Sequence, residues 1–158
     1  MAAGAGLGSS TLTTTYAMSQ VTARVSSAGL RLAAGRQYRA SVCLNVHVLG
    51  TAPDGQCVTR DIDARSTSVT RSYALPAASR TVNRPAAGGA GYATQQIDLT
   101  YLSGTTWTAY GSSWPAGNIA AASLPLFAAG AAGQSQQQLI LRRTGRGQTV
   151  RPNSFRTR

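Results

Sequence analysis

The chain is 158 residues long and 42% hydrophobic, enough for one domain with a buried core and too apolar for wholesale disorder. All fifteen basic residues are Arg and all four acidic residues are Asp, giving a net charge of +11, yet charged residues make up only 12% against an ordinary share of roughly 25%. Without Lys and Glu the chain lacks the best formers of exposed helices and has few groups for acid–base chemistry, which argues against both a helical fold and an enzyme.

In chain order, Ala2–Ser10 is small and polar, with neither the basic n-region nor the apolar stretch of a secretory signal. Residues 1–10 read as a flexible N-terminus, with Met1 an added start on a mature or excised fragment. Ala17, Ser19, Val21, Ala23 and Val25 alternate with polar partners and predict a strand. Leu30-Arg31-Leu32 predicts a short strand ended by Ala33-Ala34-Gly35. The clearest strand is Tyr38–Leu49, with Tyr38, Ala40, Val42, Leu44, Val46 and Val48 on one face and Arg39, Ser41, Cys43, Asn45 and His47 on the other. Ala52-Pro53-Asp54-Gly55 is turn chemistry, and Cys57–Ala64 returns with Val58, Ile62 and Ala64 inward.

Parity joins this hairpin through its two cysteines. Cys43 and Cys57 both fall on polar faces, and setting them opposite one another makes Val42 face Val58 and Tyr38 face Ile62. A slip of one residue would turn every apolar side chain outward. A Cys43–Cys57 disulfide is therefore expected, closing a loop of about fifteen residues worth roughly 3 kcal/mol, with two buried free thiols as the alternative. With one histidine, His47, the cysteines do not make a zinc site, and a disulfide points to a non-cytosolic setting.

Val69, Arg71, Tyr73 and Leu75 predict one face of a strand before Pro76, after a bulge or turn near Arg65–Thr67. Ala86–Gly91 is a Gly/Ala loop. Ile97, Leu99 and Tyr101 mark a strand, Ser103-Gly104 its turn and Trp107–Tyr110 the return, with Tyr101 and Trp107 read as core. Ala120–Ala132 has room for a helical turn limited by Pro125 and Gly130, and the uncharged run Ile119–Gly133 is too short and broken for a membrane helix. Gln138–Arg143 is the last predicted strand. The expectation is an all-β, antiparallel β-sandwich of seven to eight strands, jelly-roll or Ig/Fn3-like, with little or no helix, over residues 11–144, followed by an Arg-rich tail at 145–158.

Two groups of residues suggest binding. Tyr110 and Trp114 lie in an uncharged loop whose aromatic faces and Ser donors suit a glycan, with packing against the sandwich end as the alternative. Arg142, Arg143, Arg146, Arg151, Arg156 and Arg158 have no acid among them and suit a polyanion, nucleic acid included. Catalytic chemistry is harder to find. Asp61 and Asp63 share a strand face, but two carboxylates are too few for calcium, and Arg60 and Arg65 stand ready to neutralise them. His47 has no nucleophile and orienting acid at a recognisable spacing. No metal or other cofactor is expected.

The run Leu30-Arg31-Leu32-Ala33-Ala34-Gly35-Arg36-Gln37-Tyr38-Arg39-Ala40-Ser41-Val42 resembles the strand-turn-strand of carbohydrate-binding β-sandwich modules, and Trp107-Thr108-Ala109-Tyr110 resembles a later strand of theirs. The same Gly-x-x-Tyr turn resembles fibronectin type III domains. The resemblance covers about thirty residues; it implies a sandwich and, for the first family, a sugar ligand. The functional expectation is a non-catalytic extracellular binding or interaction domain for a polysaccharide or an anionic cell-envelope polymer. The alternatives are a self-assembling structural subunit, such as a virion coat, phage particle or filament protein whose Arg-rich tail contacts nucleic acid, and, last, an enzyme.

Overall fold

The computed structural model describes residues 6–48, 50–84, 91–110, 118–126, 133–144 and 147–157, and among them every regular element is a strand. Two antiparallel sheets pack into a β-sandwich. Sheet I contains β1 (Gly6–Tyr16), β2 (Gln20–Leu32), β5 (Arg71–Tyr73), β6 (Ala78–Asn83), β10 (Gly133–Thr144) and β11 (Gly147–Thr157). Its order is β11-β10-β1-β2, with β5 and β6 sharing the far edge of β2. Sheet II contains β3 (Gln37–Val48), β4 (Asp54–Asp63), β7 (Gly91–Ser103), β8 (Thr106–Ala109) and β9 (Asn118–Leu126). Its order is β4-β3-β7, with β8 and β9 sharing the far edge of β7.

The core follows from alternation. Tyr38, Ala40, Val42, Leu44, Val46 and Val48 all point between the sheets, as their spacing predicts. They meet Leu12, Leu30 and Leu32 from sheet I, and Ile97 and Leu99 from β7. Tyr38 is fully buried, and its hydroxyl donates to the Ala33 carbonyl at 3.2 Å, tying the Ala33–Gly35 turn to the core strand. Register in the β3–β4 hairpin agrees with the cysteine parity: Cys43 pairs with Cys57, Val42 with Val58 and Tyr38 with Ile62. The two cysteines are joined as a disulfide on the outer face of sheet II.

Eleven strands are present in the described residues where seven to eight were expected, and the differences have local causes. The strand expected over Val69–Leu75 is only Arg71–Tyr73, with Val69 exposed, because the edge of β2 is shared by two pieces. Pro76 has no N–H to give a ladder, and where the pairing breaks the Leu75 amide donates to Ser27 Oγ at 3.0 Å. The helical turn expected from Ala120 is instead strand as far as Leu126, and Pro125 is tolerated because β9 is an edge. β1 begins at Gly6, inside the segment read as flexible, and Leu7 is buried. The backbone of residues 147–157, read as a tail, forms β11 against β10. Residues 1–5, 86–90 of the Gly/Ala loop and 127–132 lie outside the described residues.

Between β1 and β2 the register shifts beside Gly8 and Gly29, both at positive φ. A Cβ on Gly8 would strike the Gly29 carbonyl, so the two backbones approach at a distance only glycine permits.

Candidate functional site

The outer face of sheet II carries the rings of Tyr92, His47 and Trp107. Even-numbered residues of β7 face outward, so Tyr92, Thr94, Gln96, Asp98, Thr100 and Leu102 form one row beside Arg39, Ser41, Cys43, Asn45 and His47 of β3. At one end Ser103 pairs with Thr106 around a two-residue turn, with Gly104 at φ 62°. That register sets Trp107 opposite Leu102, on the outer face. Trp107 is therefore not core, as its apparent parity suggested. The Arg39 guanidinium lies 4.0 Å from the Trp107 ring centroid while donating to both carboxylate oxygens of Asp61, at 2.7 and 3.2 Å.

Tyr110 changes role in the opposite direction. It is 7% exposed, and its ring meets Tyr38 and Tyr101 edge-on at 6.1 and 6.3 Å. Buried this way, it offers no face to a glycan, which corrects the expectation that it forms a platform with Trp114. Trp114 lies outside the described residues.

At the other end of the same face, Tyr92 pairs across the strands with His47, and their rings stack at 4.4 Å and 17°. They border a pocket of about 410 Å³ lined also by Val48, Gly50, Thr51, Pro53 and Gly91. The pocket exists because the β3–β4 connection folds back: Thr51 donates both its amide and its hydroxyl to the Val48 carbonyl, at 3.0 and 2.9 Å. Gly91 is required there, since a Cβ would run into the His47 carbonyl. Tyr92 is 44% exposed, a large ring left open at a pocket mouth. Neither Tyr92 nor His47 stood out in the sequence as a binding residue; the Gly104-Thr105 turn, counted as two residues, would have placed Trp107 outward.

No protein-family model, curated protein or solved structure matches the chain.

The carboxylates are already engaged. Asp63 accepts two guanidinium hydrogen bonds and the backbone N–H of Arg65, and these hold its carboxyl at about 2, well below the usual range. Asp61 is lowered in the same way by its hydrogen bonds from Arg39, the partner in place of Arg60. Arg60 instead donates to the Ala74 carbonyl at 3.4 Å. Asp54 of β4 pairs with Arg80 of β6 at 3.3 Å, bridging the two sheets, and Asp98 accepts from Gln96. Among the described residues no three His, Cys, Asp or Glu side chains come together as a metal site.

Of the residues expected to bind a polyanion, Arg142 and Arg143 lie on β10, and Arg151 and Arg156 on β11. Arg146 and Arg158 lie outside the described residues.

Proposed function

We propose that this chain is a non-catalytic extracellular binding domain that takes a neutral stretch of polysaccharide on the outer face of sheet II. The observation that carries this reading is the Tyr92–His47 stack at the mouth of a 410 Å³ pocket, a volume within the range of small-molecule sites. Sugar rings present apolar C–H faces and a rim of hydroxyls, which suit an exposed tyrosine beside an imidazole and Thr51. Thr94, Gln96, Ser41 and Thr100 continue the same face as neutral hydrogen-bonding groups toward Trp107. The disulfide supports an oxidising compartment, and the engagement of the carboxylates by Arg and Gln supports a non-catalytic role.

An array of neutral oligosaccharides tests the reading. The parent protein is expected to retain at least one of them, and Tyr92→Ala to lose that retention while its melting temperature changes little, because the ring is half outside the fold. Retention of no oligosaccharide by the parent, or undiminished binding by Tyr92→Ala, defeats it.

A further inference from the structure

Charge is divided between the two sheets. All four carboxylates belong to sheet II: Asp54, Asp61 and Asp63 on β4 and Asp98 on β7. The six strands of sheet I contain eight Arg and no acid: Arg24 and Arg31 on β2, Arg71 on β5, Arg80 on β6, and the four on β10 and β11. Arg71, Arg80 and Arg143 have inward register, Arg80 being paired with Asp54, and the other five fall at outward positions. The partition is hidden in the chain because strands of the two sheets alternate along it. We propose that the outer face of sheet I is a second binding surface, for a polyol-phosphate polymer: a linear phosphodiester chain without bases.

Register builds the surface. Arg24 pairs with Thr13, Thr13 with Gln136 and Gln136 with Arg156, one row running across four strands. Its two arginine positions are three strand spacings apart, about 14 Å. A parallel row aligns Arg151 with Ile140 and Ser9, four residues along β10 from the first, or about 13 Å. Three arginine positions are thus set one such interval apart along each direction, with Thr13 and Gln136 between those of the first row and Ile140 and Ser9 beside Arg151 in the second. Arg24 and Arg31 are exposed, and neither has a carboxylate partner in the described residues.

The chemistry selects the ligand. A guanidinium fork binds a phosphate through two parallel hydrogen bonds, and Ser, Thr and Gln donate to the remaining oxygens. Among the described residues, the outward register positions of sheet I include no aromatic: Tyr16 and Tyr73 have inward register, and the Phe155 position pairs with that of Gln137, itself inward. At these positions a single-stranded nucleic acid would find no aromatic ring for its bases to stack on, whereas a polyol-phosphate chain needs only the phosphate contacts. The surface therefore differs from a flexible basic tail, because it enlists β2, far from residues 142–158 in sequence.

The test is a salt series of binding by the full chain to poly(glycerol phosphate) and to a single-stranded oligothymidylate. Poly(glycerol phosphate) is expected to bind tighter, with affinity falling steeply as salt rises. Arg24→Ser and Arg31→Ser should each weaken it several-fold and flatten the salt dependence, by about 0.7 in log–log slope for each phosphate no longer neutralised if the polymer behaves as a single strand. Arg65→Ser, at a residue ion-paired beside β4, should change nothing. Equal effects of Arg24→Ser and Arg65→Ser, no binding at low salt, or tighter binding of oligothymidylate would each overturn the proposal. None of these outcomes bears on the sheet II pocket.

Discussion

Two aromatic residues exchange the roles their neighbourhood suggests. Trp107 lies outward under Arg39, and Tyr110 lies inward against Tyr38. Three residues apart, the two cannot face the same way along a strand, and the length of the turn after Ser103 decides which of them points inward, since each added turn residue reverses facing. The acidic residues can be tested at the same scale. Asp63 has a folded-state pKa of about 2, below its ordinary unfolded value near 3.9, and Asp61 shifts the same way. Depressed carboxyls contribute stability that is fully present above the unfolded value and is lost as pH falls through the folded one. Urea unfolding at a series of pH values should therefore show stability declining between about pH 4 and pH 2. Asp63→Asn should decline less over that window, and identical pH profiles for variant and parent would show that the Arg65 ion pair does not persist in solution. The effect is small because both groups are exposed to solvent.

The register of the β3–β4 hairpin was legible in the sequence because alternation and cysteine parity agreed, while the turn was read too far along, since Asp54 and Gly55 already pair with Val46 and Asn45 as the start of β4. β11 was not. Val150 pairs with Leu141 and Phe155 with Gln137, yet they sit at opposite parities in the chain, because a bulge between Gln138 and Leu139 inserts an extra residue near Pro152. An alternation broken by a bulge, in a segment rich in Arg, reads as tail. The hairpin's own staple can be measured directly. Intact mass of the native protein after alkylation should show no accessible thiol. Replacing both cysteines with Ser should cost roughly 3 kcal/mol, or about 6–12 °C in melting temperature for a domain of this size. Two alkylatable thiols in the unreduced protein would remove the staple from the account, and an unchanged melting temperature would show that the hairpin does not depend on it.

At the scale of the molecule, what the sequence hides is what topology creates: the division of charge by sheet, and the free edges. In the described residues the outer sides of β4 and β11 carry no further strand, and such edges invite pairing with another copy. That gives the structural-subunit reading its footing, since a β11 edge added to a β4 edge is a head-to-tail contact of the kind that builds rings or filaments. These two edges are guarded, however, and the opposite edge of each sheet is split into two pieces, β5 with β6 and β8 with β9. β4 carries Arg60, Asp61 and Asp63 within four residues, and β11 carries Arg151, Pro152 and Arg156. Charges and proline on an edge oppose further pairing. The net charge of +11 opposes association of any kind at low ionic strength, but salt shortens its reach from about 10 Å at 0.1 M to about 3 Å at 1 M. The two protections can therefore be separated. If repulsion alone keeps copies apart, the protein should associate as salt rises; if the edges themselves are blocked, it should stay monomeric throughout. The guarded strands predict the second outcome: one monomeric species by size-exclusion chromatography with light scattering at both 0.1 M and 1 M salt. A large, regular assembly in either condition would show the edges to be open and would favour a particle or filament subunit over a binding domain.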